Sequence, residues 1–440
     1  MADEGSSSEG AVLLRPPQTV RGMTQLDKDA FKVQTKLPVL FIPNDKMHKT
    51  MKVLKEFLMK RPGVSAIDDV ALNDPRYKKV KRIIFDPEKC RSVDALPDHV
   101  KERFQELKML PETDFEFIDY EITYDNWKYE EILQAVLPEE EQKVAGFSRI
   151  GHILHLNLKE YHEDYKWLIG QVLLEKFSTI RTVVNKVNTI DSTYRNFAME
   201  VLAGEDDMLT TCRENGLQFR MDFSRVFWNP RLGTEHQRIT DQLRSGDVVY
   251  DVMAGIGPFA VPAAKKQCCV LANDLNPESY KWLLHNMKLN KVNGANEQCF
   301  NMDGRQFIRE QLKPHLMQQQ SDEASQCSAH ILMNLPALAV EFLDAFQGLC
   351  SEQEAASLRL LPTVHCYSFC SGQWGSEMIE QMRGTAALHL GCPLPADAVI
   401  RQVRNVAPGK EMLCVEFKLS RSILCSNADA APEKKRAKLE

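Results

Sequence analysis

The chain has 440 residues, 43% of them hydrophobic, with a formal net charge of −6 at pH 7. That length exceeds one ordinary domain and can bury several cores, so two or three domains are expected. The acidic balance excludes a simple polycation, leaving nucleic-acid contacts to local basic patches, and no apolar run approaches the ~18 residues of a membrane span, so a soluble chain is expected.

Residues 1 to about 20 read as disordered. Their acidic start, Met1-Ala2-Asp3-Glu4, lacks the Arg-rich amphipathic pattern of a mitochondrial presequence and predicts a cytoplasmic protein, with nuclear and mitochondrial-matrix shares left open. From 21 to 117 a small α+β domain is expected: helix then strand from Leu26 to Ile42, helix over Met51 to Met59, strand over Val80 to Phe85, and a polar connecting stretch from Pro87 to Phe117. Residues 118–225 form a second α+β domain, with strands over Ile150 to Leu158, Thr182 to Val187 and Leu217 to Phe223, and a helix around Leu168 to Glu175. Basic residues recur there, among them Arg149, Lys176, Arg181, Lys186 and Arg195. His152 and His155 have no third ligand nearby, and the 12 cysteines contain no C-x-x-C, so no metal is expected and the thiols read as reduced core residues.

At residues 226–424 the texture becomes that of a doubly wound sheet. The junction Trp228-Asn229-Pro230-Arg231-Leu232-Gly233-Thr234-Glu235-His236 opens a helix running to Leu243, with Thr234 as a candidate cap. A β-branched run over Val248 to Tyr250 then ends at Asp251, passes through Gly255 and Gly257, and enters an Ala-rich helix. Gly-x-Gly alone is a weak signal. Its context is stronger, because a second run, Cys268 to Asn273, ends at Asp274, where a carboxylate can accept hydrogen bonds from ribose hydroxyls. A third run, Ala329 to Met333, leads into Asn334-Leu335-Pro336, either an ordinary turn or an amide at the ligand-binding edge. Asp303 is a further candidate for contacting adenine. Residues 425–440 form a basic tail in which Lys434-Lys435-Arg436-Ala437-Lys438 is a nuclear address or a solvated disordered end.

Five segments occurring in order resemble one family over nearly the whole length: Ser148-Arg149-Ile150-Gly151-His152-Ile153, Tyr194-Arg195-Asn196-Phe197-Ala198-Met199-Glu200, the 228–236 junction, Asp251-Val252-Met253-Ala254-Gly255-Ile256-Gly257-Pro258-Phe259, and Asn334-Leu335-Pro336. They are similar to the archaeal and eukaryotic tRNA guanosine-37 N1-methyltransferases. The resemblance implies a C-terminal Rossmann-like class I methyltransferase domain preceded by two smaller α+β RNA-binding domains, with S-adenosyl-L-methionine as cofactor and tRNA as partner. No protein partner is evident, and a monomer is expected.

By this resemblance Arg195 meets guanine O6, Glu235 is the general base and Asn334 holds the target base. Asp251, Gly255, Gly257, Asp274, Asp303, Asn334 and His236 are expected at the cofactor, and Phe227, Asn229, Arg231 and Pro336 at the substrate. The family's common tyrosine is Phe227 here, which keeps stacking without a hydroxyl. A cytosine C5-methyltransferase would need a cysteine after the third strand, and an exocyclic-amine enzyme an Asn-Pro-Pro-aromatic turn; Asn334-Leu335-Pro336-Ala337 offers neither. Two readings stay open beside methyl transfer: an aminocarboxypropyl transferase of wybutosine synthesis and a non-catalytic tRNA-binding protein.

Overall fold

The computed structural model describes residues 14–138, 143–144, 146–190, 197–292, 296–319, 327–358 and 360–425. Arg195 lies outside the described residues, as do most of the glutamine-rich insertion after residue 319 and the tail after 425. The described residues fall into two compact units, one within Met1–Phe147, Leu156–Asn185 and Val201–Glu205, the other within Ser148–His155, Lys186–Glu200 and Asp206–Glu440.

In the first unit β1 (Val33–Pro43), β2 (Ile67–Asp69), β3 (Val80–Ile84) and β4 (Phe115–Ile122) form a sheet of order β2-β3-β1-β4. The helix expected before β1 is reduced to one 3-10 turn, Asp29–Phe31, because Phe31 is fully buried and its carbonyl accepts the Trp127 indole N–H at 2.9 Å. Residues 87–117, expected as a connector, are structural. Cys90, Leu96, Val100, Phe104 and Met109 complete the core formed by Leu40, Ile42, Leu54, Ile83 and Phe85. β4 pairs antiparallel along β1 from Val33↔Ile122 to Leu40↔Phe115, so the expected boundary at 117 falls inside a strand. Order also begins before residue 20: Leu14 and Val20 are buried, and the Gly22 amide donates to the Val136 carbonyl at 2.7 Å.

β5 (Ser148–Ile150), β6 (Ile153–Leu156), β7 (Thr182–Ile190) and β8 (Phe197–Gly204) are ordered β5-β6-β7-β8. The single strand expected over Ile150 to Leu158 is broken by a turn at Gly151-His152, which lets β5 and β6 pair as a hairpin. The hairpin β9 (Leu209–Glu214) and β10 (Leu217–Asp222), assigned from sequence to the middle domain, belongs to the second unit. The helix Pro277–Leu289 and the residue after it fasten it there. Asn286 accepts from the Arg220 amide at 2.8 Å and donates to the Arg220 carbonyl at 3.1 Å, while Asn290 repeats the pattern on Gln218 at 3.0 and 2.7 Å.

The second unit is built on β11 (Val248–Asp251), β12 (Cys269–Asn273), β13 (Glu297–Phe300), β14 (Ala329–Met333), β15 (Thr363–Ser371), β16 (Val399–Ala407) and β17 (Lys410–Lys418), in the order β13-β12-β11-β14-β15-β17-β16. β13 through β15 run parallel, and β17 enters antiparallel between β15 and β16. β11 and β14 are buried at every residue, which is why they read as unbroken apolar runs. The strand order reverses between β11 and β14, opening the crevice where doubly wound sheets bind ligands at their carboxyl ends. Removing the fully buried Asn286 amide would cut its bonds to Arg220 and to the Ile256 carbonyl at 3.1 Å. Urea unfolding of Asn286→Ala should show a loss of about 3 kcal/mol, at roughly 1 kcal/mol for each of the three hydrogen bonds.

Candidate active site

The turn after β11 is shaped by two glycines. Gly255 has φ +55° with open space where a Cβ would point. Gly257 has φ +98°, and a Cβ there would come within 2.8 Å of Leu283 and Val261. The first glycine therefore leaves room for a ligand and the second lets the chain pack on the helix behind it.

Asp274, at the tip of β12, fixes this turn. Its Oδ2 accepts the Gly255 amide at 2.7 Å and its Oδ1 the Asn276 amide at 2.9 Å. Burial pushes its pKa up despite those donors. Asp251 is fully buried and lies under the turn, with no surface to offer a ligand. Burial, then the Asp274 carboxylate, raises its pKa well above the usual range; the nearby Met253 and Ala260 amides offset this only in part, since neither oxygen meets a donor at full hydrogen-bond geometry. Asp303 is exposed and caps the helix Gly304–Phe307, accepting from the Arg305 and Gln306 amides.

At the end of β14 the Asn334 Oδ1 is buried without a partner among the described residues. The β14–β15 register, Met333↔Cys366, sets Asn334 beside Tyr367, and the Pro336 carbonyl accepts the Phe369 amide at 2.9 Å. An orphaned amide oxygen and the open face of Gly255, both at the carboxyl edge, fit a polar nucleoside ligand.

The junction before the sheet presents the other candidates. Phe227 is 61% exposed and free to stack. Asn229 accepts the Arg231 amide at 3.1 Å and so caps the 3-10 turn Pro230–Leu232. The helix Gly233–Gln242 continues straight from that turn with Leu232 at its N-cap position, so Thr234 is not a cap. Arg231 is exposed and close enough to Arg404 to lower the Arg404 pKa, after burial has done so. His236 is buried, with Nδ1 2.7 Å from Glu214 Oε1, its ring edge-on to Phe259 and its Nε2 without a partner among the described residues. A cavity of about 300 Å³ beside this junction is lined by Arg149, Gly151, Thr211, Arg213, Trp228 and Pro230, among others.

Glu235 is the most heavily engaged of the candidates. Arg238, one turn along the helix, donates Nε to Oε2 at 2.8 Å and Nη2 to Oε1 at 2.6 Å, and the Tyr367 hydroxyl donates to Oε1 at 2.8 Å. Burial keeps Tyr367 protonated, raising its pKa well above the usual range. Arg238 Nη2 also reaches Glu416 Oε1 at 2.6 Å; Arg401 and His365 face the same carboxylate at 3.3 and 3.4 Å. Burial would raise the Glu416 pKa, but His365 and Arg238 outweigh it and hold it at about 2. His365, Cys414 and Glu416 bring possible ligand atoms within 4.8 Å of one another. Two guanidiniums already neutralise Glu416 and burial keeps the Cys414 thiol protonated, so this is an ion-pair network rather than a metal set.

Several residues here had not been singled out from sequence. Asn273, fully buried, ties three strand ends: Nδ2 donates to the Val252 and Met302 carbonyls at 3.0 Å each, and Oδ1 accepts the Met302 amide at 3.0 Å. Arg238, Tyr367 and Glu416 were also missed, although Glu416 is a carboxylate inside an apolar strand and Arg238 shares a helix face with Glu235.

Comparison with known proteins bears on this geometry. Residues 210–356 match the TRM5/TYW2 methyltransferase domain and residues 129–207 the TYW2 N-terminal domain. The chain is 47% identical over 440 residues to a tRNA (guanine(37)-N(1))-methyltransferase of Xenopus tropicalis, covering 99% of this chain and 87% of that protein. It belongs to this family. A human protein of the same name is 46% identical over 422 residues, covering 96% and 81%. In fold, this methyltransferase-family chain is similar to Trm5b of Pyrococcus abyssi, with a TM-score of 0.58 at 24% identity over 87% of this chain and 99% of that one. It is likewise similar to aTrm5 in its complex with tRNALeu, with a TM-score of 0.59 at 23% identity over 87% and 100%. The methyltransferase-domain match begins at residue 210, inside β9, consistent with the β9–β10 hairpin belonging to the second unit.

Two tests follow. In Asp274→Ala the Gly255 amide loses its acceptor, and calorimetry should show S-adenosylmethionine binding weakened at least tenfold. The second concerns His330, whose Nδ1 lies 3.0 Å from His365 Nε2; burial, then His365, lowers its pKa to about 4. Between pH 6.5 and 4 the unfolded chain takes up a proton that the folded chain refuses. Stability should therefore fall as pH drops through that window, by on the order of 3 kcal/mol, and the fall should be shallower in His330→Asn.

Proposed function

We propose that this protein transfers the methyl group of S-adenosylmethionine to N1 of guanosine 37 in tRNA, acting as a single chain. The observation that carries the reading is the alignment, over 96 to 99% of the chain, with enzymes named for that reaction. The glycine turn, Asp274 and the unpaired Asn334 oxygen support a nucleoside-bearing methyl donor at the carboxyl edge. The bound donor supplies an electrophilic methyl carbon.

Guanine N1 carries a proton at neutral pH, so methylation requires that proton to leave while charge builds on O6. We assign Glu235 as the base that accepts the N1 proton and Arg195 as the cation facing O6. Exposed Phe227 offers a stacking surface for a base drawn out of an unpaired loop, where flipping costs least, and Asn334 offers a free acceptor for its edge. Aminocarboxypropyl transfer from the same donor stays the second reading, implied by the sequence resemblance. Product mass separates the two.

If Glu235 removes the N1 proton, Glu235→Gln should slow single-turnover methyl transfer by ~10²-fold or more, with cofactor and tRNA affinities nearly unchanged. Part of the loss should return at high pH as guanine ionises unaided. Arg195→Ala should lose rate without that recovery, because a missing O6 donor cannot be replaced by hydroxide. Matching pH profiles for the two variants would show the base to be misassigned.

A further inference from the structure

We propose that Arg238 is a positioning residue that sets both the rotamer and the basicity of Glu235, with Glu416 as the competing carboxylate that limits its grip. The inference rests on Glu235 being the base. One guanidinium serves two carboxylates: Nη2 stands 2.6 Å from Glu235 Oε1 and 2.6 Å from Glu416 Oε1. Arg238 sits one turn from Glu235 on a single helix, so the bidentate contact fixes the plane of the Glu235 carboxylate.

The other groups facing this pair come from three strands. From β15, Tyr367 donates to Glu235 Oε1, and His365 stands behind Glu416 at 3.4 Å. From β16, Arg401 reaches the second oxygen of Glu416 at 3.3 Å. From β17, the Cys414 thiol is 3.9 Å from Arg238 Nη2 and is kept protonated by burial. The consequence is a division of charge. A guanidinium wholly committed to Glu235 would make a well-held but weak base, whereas none at all would leave a mobile carboxylate that protonates at higher pH. Glu416 competes for the same cation and so limits the positive charge that Arg238 gives Glu235, while His365, with Arg238, holds Glu416 ionised.

Opposite displacements of the acid limb of the single-turnover pH profile distinguish this role from simple packing. In Arg238→Gln the Glu235 anion loses its cation, and the limb should move up by about one to three pH units; Arg238→Lys, which restores the charge, should return most of the shift. In Glu416→Gln the guanidinium falls wholly to Glu235, so the limb should move down and the plateau rate should drop several-fold. Calorimetric cofactor binding checks that each variant is folded, and if Arg238→Gln is not, the near-isosteric Glu416→Gln and the charge-preserving Arg238→Lys carry the test. Acid limbs that coincide with wild type, in a series where Glu235→Gln is slowed ~10²-fold or more at neutral pH, overturn the role of Arg238. A Glu235→Gln that keeps the wild-type rate at neutral pH instead overturns the base assignment on which it stands.

Discussion

The carboxylate of Asp274 holds the glycine turn in place, and the rest of the site is arranged around that contact. A backbone passing through Gly255 and Gly257 has no side chains to fix its path. One acid at the tip of the neighbouring strand accepts the Gly255 amide and, through its other oxygen, the Asn276 amide. Asn276 then caps the helix Pro277–Leu289, whose Asn286 returns to the Ile256 carbonyl in the turn. The loop is thus held by the residues that follow β12 and by the next helix, and the same helix anchors the β9–β10 hairpin.

A second constraint comes from the antiparallel strand. If β17 ran parallel, Glu416 would not stand opposite His365, nor Cys414 opposite Tyr367. Because it runs antiparallel, four alternating residues of β15 and β17 share one face, and the helix Gly233–Gln242 lays Glu235 and Arg238 on it. The end of the sheet that departs from the parallel pattern therefore organises Glu235 and Arg238, while the parallel strands carry the glycine turn and Asn334. Tyr367 and Asn334 each follow the last β14–β15 pair, Met333↔Cys366, and Tyr367 donates to Glu235.

Much of this was legible in the sequence. Short, largely buried parallel strands read as unbroken apolar runs, so β11, β12 and β14 and the polar residues at their tips were found with near-correct bounds. What failed was assignment across long separations. The β9–β10 hairpin looks like its preceding neighbours, and only amides some 70 residues later, at Asn286 and Asn290, show which sheet it serves. Residues 87–117 look polar because one helix face is wet, yet Val100 and Phe104 are core. Asp251 and Asp274 sit at equivalent strand tips, but one is sealed under the turn and the other holds it, a difference fixed by tertiary contact.

The choice of amides at the strand ends has an electrostatic reason. Asp251 and Asp274 are both held above their ordinary pKa, Asp251 by burial and then by its neighbour's charge. A third carboxylate at position 273 would deepen that repulsion and could not donate to the Val252 and Met302 carbonyls. Asparagine both donates and accepts without charge, so Asn273 satisfies three backbone groups from β11 and β13 while adding nothing to the acid pair. Asn286 does the same for Arg220 and Ile256. Asn334 repeats the chemistry at the end of β14 with one difference: its oxygen has no backbone group to satisfy. An amide oxygen that finishes a strand without a partner among the described residues distinguishes Asn334 from Asn273 and Asn286.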